Sequence, residues 1–564
     1  MFQQVLDPIA GSLPLTALCA ALPPVTLFVL LGVFRVKAPV AAVATLGLSM
    51  ALAVLGWQMP LGQAASAAFY GALYGLFPIL WILINAVWIY KMTEVTGWFP
   101  VLGRKIRAVS DDTRVQAILI AFCFGALMEA LAGFGAPVAI SAVMLMAVGL
   151  RPVKAAVVAL VANTAPVAFG SMGVPITTLA SVTGLPLETL GQMAGRQTPL
   201  IAAFIPLVLV YLVDGRRGVR QTWPVALVAG FAFAASQFIT ANYVSVEITD
   251  IVAGTVTIAV VLGFLRMWQP AEDTLATHAP RVPSVVGSAS ADTRGTSDGD
   301  TTFDEAPEKP ERGSGTSDTS GSTIMATAPY LIIIGLFAIK QSGPVKQWLI
   351  DIGTFKFNWP GLHLVSAGGQ PIATEFTLEH INGTGTFLLF AGLLTMLVYR
   401  VGLSRAVRCY ADTLVQLRWT IVTVTSVLGL AFVMNFSGQT ASLGAAMASA
   451  GGLFALLSPV VGWFGVAVTG SDTSSNSLFG ALQVAAAQKT GLSPVLLAAA
   501  NSSAGVLGKM ISAQNLAVAA AAIDRPGAEP EIFRKVIGWS LGLLAVSSVL
   551  IYLQSTQVLG WMVP

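Results

Sequence analysis

Apolar runs of about 17 to 25 residues recur along this 564-residue chain, the length a helix needs to cross a hydrocarbon core. Runs from Leu13 to Phe34, Pro39 to Trp57 and Ala68 to Tyr90 open the series, and Lys535 to Met562 closes it. Lipid offers no partners to backbone N–H and C=O groups, so only helices and closed barrels span it, and continuous apolar runs select helices. The composition agrees, with 55% hydrophobic residues, 10% charged residues and a mean hydropathy of +0.77. The predicted fold class is an all-α polytopic membrane protein with about 12 to 14 crossings of the lipid bilayer.

Several function classes fall away on composition. The net charge of +3, without a basic stripe, argues against nucleic acid as a partner. Cys19, Cys123 and Cys409 show no metal-ligand spacing, so neither a disulfide framework nor a metal site is expected. No Lys or Arg precedes the first run, which is expected to remain as a helix rather than a cleaved signal. Gly508-Lys509 resembles the end of a phosphate-binding loop, but Ser503 stands at the leading glycine position and Met510 replaces the magnesium-binding hydroxyl. His278, His363 and His380 lie away from the polar motifs, and no nucleophile elbow is present. No cofactor and no enzyme activity are expected.

Lys and Arg cluster at Arg35/Lys37, 91–114, Arg216/Arg217/Arg220, 400–418 and Arg525/Arg534/Lys535. Placing all five clusters in the cytoplasm puts both termini outside. The Ser/Thr/Gly/Asp-rich stretch at 267–323 is too polar to fold and reads as a disordered cytoplasmic linker. It separates an N-terminal membrane half, 1–266, from a C-terminal half, 324–564, which carries an extracytoplasmic insertion near 341–385 with Trp348, Phe355, Phe357 and Trp359.

Two polar stretches interrupt the apolar background, Glu129 to Pro137 and Thr469 to Asn476. Each is followed by a second polar element: Asn163-Thr164-Ala165-Pro166 starts 30 residues after Gly133, and Asn501-Ser502-Ser503-Ala504 starts 31 after Gly470. Paired interruptions in two halves mark a carrier built from two structural repeats, with broken or re-entrant helices around a midplane site. Asn163-Thr164 and Asn501-Ser502-Ser503 read as caps of helices starting inside the membrane, where N–H groups favour an anion. Small polar residues also glue helices together, which is the competing reading for any single one of them. The run Asp472, Thr473, Ser474, Ser475 and Asn476 exceeds what packing alone requires and is expected to line the substrate cavity. Lys509 is the candidate cation for a carboxylate, or else a partner of Asp472 or an interfacial anchor; Arg196 favours the anchoring role. Glu129, an isolated carboxylate in an apolar stretch, is the candidate proton carrier.

On these residues the chain resembles the L-lactate permease family. The matching segments are Phe122 to Ala126, Gly133 to Ile140, Asn163 to Gly170, Gly191 to Gln197, Thr469 to Asn476 and Gly508 to Ser512, spread over nearly the whole chain. Leu131 departs from the small residues usual before Gly133, and the 267–323 linker matches nothing. The resemblance implies uptake of L-lactate and related 2-hydroxymonocarboxylates, such as glycolate and D-lactate, by proton symport in a bacterial inner membrane. Its partners are then a small carboxylate and protons. A sodium-coupled or dicarboxylate carrier, an anion channel and an intramembrane enzyme are the alternatives.

Overall fold

The computed structural model describes every residue except 35, 99–100, 102–103, 105–108, 134, 271–319 and 526; most of the predicted 267–323 linker lies outside the described residues. After strand β1 (Phe2–Gln3), the first half contains α1 (Leu13–Phe28), α2 (Ala38–Leu55), α3 (Leu61–Tyr74), α4 (Trp81–Val95), α5 (Thr113–Ala117), α6 (Gly125–Ala132), α7 (Ala136–Ala147), α8 (Pro152–Ala162), α9 (Gly170–Thr183), α10 (Leu187–Ala202), α11 (Ile205–Tyr243) and α12 (Thr249–Leu265). The second half has α13 (Ser320–Gln341), α14 (Gly343–Gly353), strands β2 (Phe355–Asn358), β3 (Leu364–Val365) and β4 (Glu375–Leu378), then α15 (Thr384–Val398) and α16 (Leu403–Ser437). It ends with α17 (Gln439–Met447), α18 (Phe454–Thr469), α19 (Asp472–Thr490), α20 (Pro494–Lys509), α21 (Ala513–Ala522) and α22 (Glu529–Gln554). Among the described residues, nine helical stretches are long and apolar enough to cross a membrane, or up to 11 if each bent pair is one span. Three shorter apolar helices accompany them. The chain is a polytopic helical membrane protein, as expected.

Two features carry the site. The first is a pair of helical hairpins. α5 and α6, joined by the π-helical stretch Ile118–Phe124, are followed by a turn into α7 closed by Ala136 N–H on Gly133 O; α18 turns at Gly470-Ser471 into α19. Both turns need backbone in the left-handed region, supplied by Gly135 (φ 90°) and Gly470 (φ 74°). The second feature is a pair of interrupted helices. α8 and α9 are separated at 163–166 by a break before the 3-10 turn Val167–Phe169, with a 62° bend, and α20 and α21 are separated at 510–512. Here the structure corrects the sequence reading. Asn163 ends α8 rather than capping a following helix, and Asn501 lies inside α20, well before its end at Lys509. The cap at the second break is Ser512, whose hydroxyl accepts from Asn515 N–H.

The insertion is ordered as an antiparallel β2–β4 pair, while β3 pairs in parallel with β1. Trp359 is buried against Tyr70 and Phe376, whereas Trp348 and Phe355 are exposed. Glu247, in the α11–α12 connection, ties this region to the first half. It accepts hydrogen bonds from Thr384 (2.9 Å) and Ser245 and stands 3.8 Å from Lys340. Burial alone would raise its carboxyl, but Lys340, Ser245, its own backbone N–H and Thr384 together hold it below the usual carboxylate range. With the folded value below the unfolded one, this contribution is present at neutral pH and lost as pH falls through the folded value. Thermal unfolding scans should therefore show wild-type protein losing more stability than Glu247→Gln when pH drops from neutral to about 4 and below, near the ordinary glutamate value.

Close packing of α18 on α20 sets the position of the second hairpin. A Cβ at Gly462 would lie 2.2 Å from the Asn501 carbonyl oxygen, backbone against backbone. Gly462→Val should lower the unfolding temperature of the detergent-purified protein by the equivalent of about 1–3 kcal/mol or more. Gly47→Ala in α2, where nothing lies within 4 Å, should not.

Candidate functional site

The hairpin turns and helix breaks converge on one small cavity of about 30 Å³. Glu129 and Lys509 border it together, and Gly170, Ser171, Asp472 and Thr473 are among the other residues of its wall. Lys509 Nζ lies 2.7 Å from Glu129 Oε1, and both side chains are more than nine-tenths buried. Asn163 Nδ2 donates to the other oxygen, Oε2, at 2.8 Å. Glu129 is thus held by a cation from the second half and an amide from the first-half break, so its charge is offset and both its oxygens are bonded. Lys509 pairs with Glu129, 380 residues away, rather than with Asp472.

Asp472 opens α19 behind the N-cap Ser471, whose hydroxyl accepts from Ser474 N–H at 3.3 Å. Its Oδ2 accepts from Ser502 and, at 3.5 Å, from Asn476. Its Oδ1 is buried with no hydrogen-bond partner among the described residues. Of the remaining predicted residues, Thr473 borders the cavity, while Thr164 turns its hydroxyl back onto Val161 O (2.7 Å). Ser474, Ser475, Asn476 and Asn501 are buried away from the cavity wall. Ser475 donates to Gly462 O (3.1 Å), Asn476 to Pro175 O (3.1 Å), and Asn501 to Asn476 Oδ1 (2.9 Å). These bonds fasten α19 to α18, α9 and α20, the glue role weighed for small polar residues. Arg196 donates to Asn242 Oδ1 (2.9 Å) and Met562 O (2.8 Å), anchoring the end of the chain.

The sequence reading missed one part of the wall and one connection outside it. Ser171 and Met172 adopt left-handed backbone conformations with Gly173 after them, so the regular turns of α9 begin only beyond this kink. Two non-glycine residues in that region cost about 1–3 kcal/mol each and persist where surrounding structure holds them, as at binding sites. The Gly170-Ser171-Met172-Gly173 composition was the available signal. Gln197 was the second omission: it accepts from Ser503 (2.6 Å) and donates to Gln554 (3.1 Å), joining α10 to α20 and α22.

Sequence comparison gives the family independently of this arrangement. The profile described as L-lactate permease matches residues 16–558. The glycolate permease of Escherichia coli (strain K12) is 40% identical over 98% of each chain, and the L-lactate permease of Bacillus subtilis (strain 168) is 39% identical over 100% of this chain and 99% of its own. The chain belongs to the L-lactate permease family. A solved transporter structure, YdaH of Alcanivorax borkumensis, aligns over 88% of each chain with a TM-score of 0.45 and 14% identity. With its apolar helices and bacterial relatives, this family member is a multi-pass protein of the bacterial inner membrane.

In this family member, removing one partner of the buried pair should cost more than removing both. Lys509→Met strands the Glu129 carboxylate, at a cost of about 3–5 kcal/mol. Fluorescence-detected size-exclusion chromatography should show less folded Lys509→Met protein than wild type and recovery in the Lys509→Met/Glu129→Gln double variant. Equal folding in all three proteins would mean that the pair does not hold the hairpins.

Proposed function

We propose that the chain carries lactate, glycolate and related 2-hydroxymonocarboxylates across the membrane together with a proton, using Glu129 and Lys509 as the coupled site. The observation that carries this reading is the 2.7 Å contact between Lys509 and Glu129 at the cavity. While Glu129 is ionised, it occupies the ammonium that an incoming carboxylate needs, and its charge repels the anion. Protonating Glu129 removes both obstacles, and Lys509 then turns to the substrate carboxylate. The Asp472 oxygen without a partner suits the 2-hydroxyl as donor, and an acid lacking that hydroxyl would leave a buried acceptor unsatisfied. Names borne by relatives, glycolate permease and L-lactate permease, support the substrate class.

A cavity of about 30 Å³ holds about one water, so the substrate requires the hairpin turns to separate. α9 and α19 lie side by side from Pro175/Asn476 to Leu179/Gly480. They lead from the cavity to a larger opening of about 580 Å³ bordered by Thr183, Asn435 and Gln488, which suits a route to one side. We take 1–266 and 324–564 as two repeats, each giving one hairpin and one broken helix to the site.

Labelled lactate uptake into vesicles tests the reading. Wild-type protein should accumulate lactate against its gradient when driven by a pH difference without sodium, with glycolate competing. Glu129→Gln should lower this accumulation at least tenfold and reduce lactate exchange much less. Uphill uptake by the variant at the wild-type level would remove Glu129 from the coupling step.

A further inference from the structure

A second buried carboxylate stands behind Glu129. Asp250 lies in the first turn of α12, 1% exposed. Gln237 Nε2 donates to its Oδ1 at 3.1 Å, and its Oδ2 has no partner among the described residues. Among the described residues, no lysine, arginine or histidine forms an ion pair with it. The contrast with Glu129 is chemical: Glu129 has a lysine and an amide, whereas Asp250 has one amide. An ionised carboxylate in that setting is uncompensated, while a neutral acid is tolerated.

Its connections lead to the site. Gln237 also donates to Ala165 O (3.3 Å), in the same break whose Asn163 holds Glu129. On α12, Gly254 packs against Leu127, with its Cβ position 2.9 Å from Leu127 Cδ2, which sets α12 directly against the helix bearing Glu129. Glu129 is the ionisable group that acts on Asp250 from the packed helices; α11 offers it Gln237, a neutral amide. Three residues before Asp250, Glu247 and its partner Lys340 line a pocket of about 620 Å³. Asp250 therefore stands between a wide pocket and the ion pair.

Resting on the proton-coupled reading above, we propose that Asp250 is a proton-relay residue that hands the transported proton to Glu129. The transfer is balanced: the Asp250 acid loses its proton and becomes a carboxylate, the Glu129 carboxylate gains that proton, and Lys509 is released to the substrate. Asn163 and Gln237 fix the two groups in place, and water carries the proton between them, because an amide is a poor carrier. Asp250 is then reloaded from the pocket at Glu247.

Three measurements test this. In wild-type vesicles, uphill lactate uptake should follow a pH difference; uptake driven by sodium alone would overturn the proton reading itself. Given proton-driven wild-type uptake, Asp250→Asn keeps the Gln237 contact and should lower uphill accumulation at least tenfold while reducing exchange much less, and Asp250→Glu should recover part of it. Wild-type accumulation in Asp250→Asn, or equal loss of accumulation and exchange, would overturn the relay and leave Glu129 coupling intact. On wild-type protein, a hydrophobic carbodiimide, which modifies protonated carboxyls, should give an Asp250 adduct by mass spectrometry at neutral pH. Its absence, under conditions where other buried carboxyls react, would also overturn the proposal, whether or not the variants fold.

Discussion

Neither Glu129 nor Lys509 can be buried alone in an apolar interior, and that constraint organises the centre of the protein. Each charge would cost several kcal/mol without the other, so the turn after α6 and the end of α20 are drawn to the same place. Once there, their neighbours must also find partners. Asn163 completes the shell of Glu129, Ser502 and Asn476 serve Asp472, and Gly170 allows the backbone to approach the Glu129 carboxylate. The helix breaks are tolerated because protein encloses them, and side chains reach carbonyls freed there: Gln237 donates to Ala165 O and Asn515 to Lys509 O.

Rigidity and mobility are distributed unevenly around the pair. α18, α19 and α20 are sewn together by Ser475–Gly462, Ser458–Gln483 and Asn501–Asn476 bonds, so this block is suited to move as one body. Between the halves, Asn476 to Pro175 and Lys509 to Glu129 each join the hairpin of one half to the interrupted helix of the other. The second of these is ionic, and on the proposed reading it is the contact that proton binding releases. A structure that moves in response to substrate needs such a contact at its parting line, where a ligand acts differently on two states.

Much of the fold was legible because spanning helices leave long apolar runs, and the Gly133 and Gly470 stretches stood out where backbone must turn inside that background. The first helix break was legible through Asn163 to Pro166. The second was misplaced because Asn501 has side-chain chemistry suited to a helix start but spends it on Asn476, while Ser512 caps the helix that actually follows the break. The pairing of Lys509 with Glu129 could not be read from one sequence, since both were visible but nothing in their spacing joins residues so far apart. Asp250 escaped notice for a different reason: lying beside Glu247 at the edge of an apolar run, it looks like a charge at a solvated loop, and only packing of α12 on α6 shows it to be buried. The exposed Trp348 and Phe355 show the converse, aromatic residues that do not enter the core.

The ion pair also bears on how the carrier meets membrane voltage. On the proposed reading, the empty pair sums to zero charge, and so does the loaded combination of protonated Glu129, Lys509 and a lactate anion. A protonated pair without lactate carries one positive charge, and lactate without the proton leaves one negative. Moving a unit charge through the field costs about 2.3 kcal/mol per 100 mV, besides the larger cost of leaving it unpaired in low dielectric. The two neutral forms can reorient electrically silently, whereas either half-loaded form is held back, so the same lysine–glutamate contact that closes the cavity suppresses slippage of proton or anion alone.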